Sequence, residues 1–340
     1  MDKYLLPMTV AFVLSYFLTP VAKKFAIKIG AIDVPKDDRR VHTKPIPRMG
    51  GLAIYVAFTI CMFLFSDIEM KKLIGIFLGS TILVITGMVD DVKPLRASLK
   101  LVIQIVAALI LVQFGFRIEF LTNFFQRSGY IFFDGLSIPI TVIWIVGITN
   151  TINLVDGLDG LATGIATIAA ATFAYVSYTT GNVPVAILSL TLAASSLGFL
   201  PHNFNPASIF MGDTGAYFLG FVLAAISIEG TLKGTTAITL IIPVLALGLP
   251  IFDTLFAIVR RALNKKPIFG ADKGHFHHRL LHIGLDQKRA VLMIYGISLL
   301  MGATAVALIN KDLANGSILA IATMILLFVP IFRTFGMENK

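Results

Sequence analysis

Long apolar runs recur from one end of this chain to the other, and they set the first constraint on its fold. Runs of about 17 residues or more are each long enough to cross a bilayer as a helix. Only 14% of the 340 residues are charged and 56% are hydrophobic, whereas a soluble domain carries about 25% charged residues. Backbone inside hydrocarbon must satisfy its own hydrogen bonds, as a helix does. The chain therefore reads as an all-α, polytopic integral membrane protein, with one transmembrane domain over 1–340. About eleven spans are expected, near 4–21, 49–65, 73–89, 100–115, 138–153, 160–179, 183–200, 215–229, 235–261, 290–309 and 315–333. The ninth contains Pro243, Gly248 and Pro250 and is expected to bend or break. The first begins almost at Met1 and runs into a basic loop, so it reads as a retained span rather than a cleaved signal. The single cysteine, Cys61, lies in an apolar run. That excludes a disulfide framework and a cysteine metal cluster.

Basic residues give the expected orientation. With eleven spans the termini lie on opposite sides, and the loops after odd-numbered spans share a side with the C-terminus. That side would carry 21 of the 28 Lys and Arg residues, eight of them in 21–49 and eight in 260–290. The positive-inside rule then makes it cytoplasmic and puts the N-terminus outside. Taken alone, the net charge of +9 could serve only topology and contact with anionic lipid.

Four polar motifs interrupt the apolar pattern on the same side. "VDDVKPLRASLK" carries Asp90, Asp91 and Lys100. "NTINLVDGLDG" places Asn150, Asn153, Asp156 and Asp159 three residues apart. "NFNPASIFMGDTG" carries Phe210 and Asp213, and "DKGHFHHRL" carries His275, His277, His278 and Arg279. Each has an ordinary explanation. Asp90 and Asp91 suit a solvated helix end, the glycines suit a turn, and histidines suit a membrane interface. Asp253 is an intramembrane carboxylate, a functional candidate by default or a structural partner of Arg260. Together the motifs point further. Carboxylates, amides, a lysine, arginines and histidines on one face suit a divalent metal held with a polyphosphate. Mg2+ takes one or two carboxylates plus phosphate oxygens, and cationic side chains offset the remaining phosphate charge. The acidic spacing does not match a calcium loop, and no Walker-type glycine loop is present.

In order along the chain, "DVPKDDRRVHTKPIPRMGG", "DDVKPLRASLK", "NTINLVDGLDGLATG", "FMGDTG", "PIFDT" and "GHFHH" resemble the polyprenyl-phosphate N-acetylhexosamine-1-phosphate transferase family. The pattern is most similar to the bacterial undecaprenyl-phosphate GlcNAc-1-phosphate transferases that begin teichoic acid, O-antigen or common-antigen (lipopolysaccharide) assembly. The resemblance implies Mg2+-dependent transfer of GlcNAc-1-phosphate from UDP-GlcNAc to undecaprenyl phosphate, with Mn2+ as a substitute ion, at the cytoplasmic face of a bacterial cell membrane. It implies Asp213 as metal ligand, with Asn153 close to metal and pyrophosphate. It further implies Phe210 on the uracil ring, Asp159 at the uracil edge, and Asp90, Asp91 and Lys100 around the acceptor phosphate. His277, His278 and Arg279 would face the donor's phosphates or sugar. Asn150, Asp156 and Arg48 complete the expected substrate-binding set. The bilayer and, by family analogy, a second copy of the chain are the expected partners, and no nucleic acid polymer is.

Three other readings use parts of the pattern. A phospho-N-acetylmuramoyl-pentapeptide transferase belongs to the same superfamily, but that branch shows three adjacent histidines where this chain has "HFHH". An intramembrane aspartyl protease would pair Asp213 with Asp253 or Asp156, leaving the amides and basic loop without work. A lipid-linked transporter would concentrate ionisable groups at mid-membrane, where Asp253 alone is a candidate.

Overall fold

The computed structural model describes residues 2–35, 44–123, 129–230, 241–264 and 274–338. Helices dominate. A long α1 (Asp2–Ile29) is followed by a two-residue hairpin of β1 (Ile32–Asp33) with β2 (Ile46–Pro47), then α2 (Gly51–Phe65), α3 (Met70–Val92) and α4 (Ala97–Gln113). A second hairpin, β3 (Phe120–Asn123) with β4 (Gly129–Phe132), precedes α5 (Ser137–Val155), α6 (Leu161–Thr179), α7 (Val183–Asn203) and α8 (Gly212–Gly230). The chain continues through α9 (Ile241–Ala246), α10 (Gly248–Leu263), α11 (Phe276–His282), α12 (Gln287–Ile309) and α13 (Leu313–Glu338). Local start signals are visible at two of these. Asn182 accepts from Val185 N before α7, with Pro184 in the first turn, and Asp286 accepts from Arg289 N before α12, each satisfying a donor that the first turn leaves free.

Among the described residues, six helices are long and apolar enough to cross a membrane: Lys3–Ile29, Met70–Val92, Asp134–Val155, Leu161–Thr179, Val183–Asn203 and Gln287–Ile309. The chain is thus a multi-pass helical membrane protein, and the expected count of about eleven spans is overturned. The reason is local. Gly51–Phe65 is apolar but only 15 residues long, and Ala97–Gln113, at 17, stands at the lower limit of spanning length, against the roughly 20 residues that cover a 30 Å hydrocarbon layer without thinning it. α8 carries Asp213 and Glu229 within its 19 residues. The run expected as span nine is divided at Leu247 into α9 and α10, and its first residues lie outside the described set. Placing the termini on opposite sides rested on the odd count and falls with it.

α8 is the axis of the bundle. From Gly215 to Ile228 every residue is buried, and it packs against α3 and α5, with α2 and α6 alongside. Small residues make that approach possible. A side chain at Gly87 of α3 would meet the Thr214 backbone, and one at Gly220 would meet the Thr149 backbone of α5. Lipid offers helices little hydrophobic reason to associate, so close backbone packing of this kind holds a membrane bundle together. Outward residues such as Phe17, Leu64 and Ile143 are exposed and suit a lipid-facing surface. α3 and α8 are pinned at both ends. Lys72 Nζ lies 2.6 Å from Glu229 Oε1 at one end, and Asp91 grips the start of α8 at the other. That second end gathers the polar motifs.

Candidate active site

The start of α8 is shaped by its neighbours. Phe210 N donates to Pro47 O (2.8 Å), Gly50 N to Phe210 O (2.8 Å) and Gly51 N to Met211 O (3.0 Å). The strand-like stretch before α8 is thereby laced to the segment carrying Arg48. Gly212 then adopts φ +73°, a left-handed conformation that glycine takes without strain, and a Cβ there would strike the Asp91 carboxylate. Asp91 Oδ1 accepts from Asp213 N (3.0 Å). Its Oδ2 accepts from Thr214 N (3.2 Å) and Thr214 Oγ1 (2.7 Å), and Arg48 Nε lies 3.3 Å from Oδ1. Asp91 therefore caps α8 from a different helix, using carboxylate charge where the helix dipole favours it. Both its oxygens are engaged, and its side chain is fully withdrawn from solvent.

Asp213 stands at the junction of four elements. Its Oδ1 accepts from Asn153 Nδ2 (3.0 Å), with Arg48 Nη2 at 3.9 Å. Its Oδ2 accepts from Lys100 Nζ (3.2 Å) and from the Tyr217 hydroxyl (3.0 Å). The same Lys100 Nζ donates to Asp90 Oδ2 (3.1 Å), while Asp90 Oδ1 accepts from Leu95 N (2.6 Å). The ends of α3 and α5 and the starts of α4 and α8 thus bring Asp90, Lys100, Asn153 and Asp213 into one cluster, with Arg48 and Asp91 beside it.

The loop after α5 adds Asp156, which is half-buried just beyond the helix end. Burial pushes its carboxyl up to about 7, with Asp213 adding to the effect and Arg48 opposing it. Next to it, the His277 ring lies where a side chain on Gly157 would be, so the histidine segment abuts this loop. Burial, and then His278, hold the His277 imidazole down at about 3, so at neutral pH it is an uncharged hydrogen-bonding group. His278 tilts against His277 with ring centroids 4.3 Å apart.

Other sequence candidates point elsewhere. Asn150 exchanges hydrogen bonds with Gln104 (2.6 and 3.3 Å) and donates to Val146 O (2.8 Å). Asp159 Oδ2 accepts from Asn205 Nδ2 and Ala207 N, both at 3.0 Å, and Asn205 Nδ2 also reaches Gln287 Oε1 (2.9 Å). Asp159 and Asn205 border a cavity of about 610 Å³ that is also lined by Lys23, Lys44, Pro47 and Gln287. Phe210 is half-buried, and its backbone is bound to the segment edging that cavity. Arg279 donates through Nε to Gly274 O (3.2 Å) and lies over the Phe256 ring at 5.0 Å.

Sequence reasoning passed over Tyr217, Gln104, Asn205 and Gln287. Tyr217 and Gln104 had a usable signal, since each lies one helical turn after a chosen residue, Asp213 and Lys100. Asn205 and Gln287 had none, because they meet Asp159 only through the tertiary fold.

Among the described residues, no group of three His, Cys, Asp or Glu side chains forms a ready metal cage. Mg2+ does not require one, because it usually binds one or two carboxylates and completes its shell with phosphate and water. Asp213 supplies the carboxylate such an ion needs, and Asn153, whose Nδ2 now faces Asp213, would add an oxygen once its amide is turned over, a set that fits this ion.

A family model described as "Glycosyl transferase family 4" matches residues 73–231, the stretch holding Asp90, Lys100, Asn153 and Asp213. The whole chain aligns at 41% identity with a probable undecaprenyl-phosphate N-acetylglucosaminyl 1-phosphate transferase of Bacillus subtilis (strain 168), covering 95% of that protein. A decaprenyl-phosphate N-acetylglucosaminephosphotransferase of Mycobacterium leprae is 37% identical over 84% of the chain and 78% of its own length. A phospho-N-acetylmuramoyl-pentapeptide-transferase of Staphylococcus aureus is 30% identical over 88% of the chain and 95% of its own length. With its reaction-type motifs gathered around one helix start and a full-length relative at 41% identity, the chain belongs to the polyprenyl-phosphate sugar-1-phosphate transferase family, in the GlcNAc-1-phosphate transferase branch.

Proposed function

We propose that this protein transfers GlcNAc-1-phosphate from UDP-GlcNAc to undecaprenyl phosphate. An oxygen of the lipid phosphate attacks the sugar-bearing phosphorus of the donor. The bond from that phosphorus to the bridging oxygen breaks, UMP leaves, and undecaprenyl-diphosphate-GlcNAc remains in the membrane. The observation that carries this reading is the meeting of Asp213, Asn153, Asp90, Lys100 and Arg48 at the ends of buried helices.

The two reactants are both anionic, and a low-dielectric boundary strengthens their repulsion. Lys100 and Arg48 supply positive charge where they must meet. Asp213 and Asn153 would hold Mg2+, which would neutralise charge on the pyrophosphate. A phosphate monoester has a second pKa of about 6, so the acceptor arrives largely ionised. Asp90, held by Leu95 N and Lys100 Nζ, then positions the lysine and acceptor rather than removing a proton. Direct attack by the lipid phosphate follows, with no covalent aspartyl intermediate. Positioning and charge stabilisation supply most of the catalysis in phosphoryl transfer. The cavity beside Asp159 is the proposed seat of the nucleoside; Phe210 is not among its lining residues and is tied to its edge through the backbone bond to Pro47, so its ring would turn toward the cavity to stack on the base. His277 would offer the donor a neutral hydrogen bond. Among the described residues, Lys23 and Lys44 line the cavity, Arg48 borders the carboxylate cluster, and Arg260 and Arg279 hold the histidine segment, which supports a cytoplasmic site independently of the span count.

Donor choice tests the reading. The purified protein in detergent, given undecaprenyl phosphate and Mg2+, should use radiolabelled UDP-GlcNAc far better than UDP-MurNAc-pentapeptide, since a hydrogen-bonding sugar site rejects donors that leave its groups unpaired. Equal or better use of the pentapeptide donor would overturn the substrate assignment.

A further inference from the structure

Asp253 and His275 lie outside the cluster that meets the phosphates, yet they are bound to each other. Asp253 Oδ2 lies 2.9 Å from His275 Nδ1, and Asp253 Oδ1 accepts from Phe276 N at 2.8 Å. Both side chains are almost completely buried, 8% and 9% exposed. One carboxylate on α10 thus holds the first residue before α11 and caps the helix that follows. The grip is reinforced a turn or two further along. Arg260 Nη1 donates to Gly274 O (3.0 Å), Arg279 Nε donates to the same carbonyl, and both guanidinium groups lie over the Phe256 ring.

The hold extends toward the reaction centre. The His275 ring is parallel to the His277 ring, 2° apart in plane with centroids at 5.8 Å. His277 in turn sits against Gly157, next to Asp156. Asp253 is therefore linked, through His275 and His277, to the loop that follows Asn153. A hydrogen bond from His275 Nδ1–H to the carboxylate would also fix the ring's tautomer and orientation.

We propose that Asp253 and His275 form a positioning pair that presents the His277–His278 segment to the bound donor. The pair acts through His277 and touches neither substrate. This rests on the donor being a nucleotide sugar whose phosphate and sugar end reaches the histidines.

The test uses the full-length protein with Asp253→Ala, Asp253→Asn, His275→Ala and the Asp253→Ala/His275→Ala double variant. Loss of the pair should lower kcat about 10²-fold, the scale of effect a small misplacement of reacting groups produces. UMP affinity should stay within about twofold of wild type, since the nucleoside seat is elsewhere. The double variant should be no slower than the slower single one, because both break the same contact. Asp253→Asn should retain most turnover. Its amide oxygen still accepts from Phe276 N, and its NH2 can donate to the other tautomer of His275. If the alanine at 253 fails to fold, His275→Ala carries the same prediction. Turnover near wild type in the alanine variants, additive losses in the double, or a parallel fall of UMP binding and kcat would overturn the pair. Absence of GlcNAc-1-phosphate transfer by the wild type would instead overturn the function on which it rests.

Discussion

Lys100 and Asp213 are 113 residues apart in the chain, yet Lys100 Nζ stands 3.2 Å from Asp213 Oδ2. The same ammonium lies 3.1 Å from Asp90 Oδ2. Two carboxylates brought together away from bulk water repel each other, and the lysine between them offsets that cost. Lys100→Met should leave the chain folded and cut turnover by about 10²-fold or more, the loss typical of removing a donor that meets developing charge. Steady-state rates at saturating donor and acceptor check this, and a rate within a few-fold of wild type would contradict it.

Asp90 and Asp91 are adjacent in sequence and differ in what they hold. Asp91 ties down three donors at the start of α8 and faces Arg48. Asp91→Ala should cost about 1–3 kcal/mol of stability by leaving the Asp213 and Thr214 donors at the start of α8 unsatisfied. Asp90→Asn keeps an acceptor for Leu95 N and should cost less than about 1 kcal/mol while lowering turnover strongly. Thermal unfolding in detergent, alongside rates, separates the two. Equal destabilisation by both changes would show that the division is wrong.

Asp156 predicts a pH effect. Burial and the nearby Asp213 raise its carboxyl to about 7, above the ordinary value of about 3.9. Between roughly pH 4 and 7 the folded chain then holds more protons than the unfolded one, so this residue's contribution to stability falls as pH rises through that window. Asp156→Asn removes the buried charge. Without nucleotide or metal, the variant should match wild type near pH 4 and exceed it at pH 8 by about 1–2 kcal/mol, a value discounted for partial exposure. A difference that is the same at both pH values would contradict the shifted carboxyl.

Tyr217 holds one oxygen of Asp213 through a single hydroxyl. Partners that orient a metal-binding carboxylate commonly account for 10- to 100-fold in metal affinity. Tyr217→Phe should therefore raise the Mg2+ concentration for half-maximal activity about tenfold, with KM for UDP-GlcNAc nearly unchanged. Weaker Mn2+ binding, followed by electron paramagnetic resonance, should accompany it. An unchanged metal requirement would leave Tyr217 as packing alone.

Much of the candidate site's clustering was legible because its parts fall at helix ends, where the sequence changes abruptly from apolar to polar. "VDDV", "NTIN" and "MGDTG" are such points, and Asp90, Asn153 and Asp213 do meet. The three-residue spacing in "NTINLVDGLDG" was less informative. α5 ends at Val155, so Asn150 and Asn153 are on the helix and Asp156 and Asp159 are beyond it. Helical spacing no longer fixes direction there, and Asp159 turns to Asn205 while Asn150 turns to Gln104. The span count failed for a related reason. Apolarity marks what avoids water, but buried helices such as α8 and short ones such as α2 share that signature with helices that cross a membrane. Asp253 kept two readings in the sequence, since nothing local shows that its partner is His275, 22 residues on, and not Arg260.

The central claim is that Asp213 anchors a Mg2+-dependent transfer of GlcNAc-1-phosphate to a lipid phosphate. The direct measurement is formation of radiolabelled undecaprenyl-diphosphate-GlcNAc by purified wild-type and Asp213→Asn protein across a Mg2+ titration, with UMP release followed in parallel. Wild type should give lipid-linked product and UMP in equal amounts, and none after chelation. Asp213→Asn, folded by its thermal transition, should lose nearly all turnover at every Mg2+ concentration. Near-normal product from Asp213→Asn at low Mg2+, or product from wild type in the presence of chelator, would contradict the account.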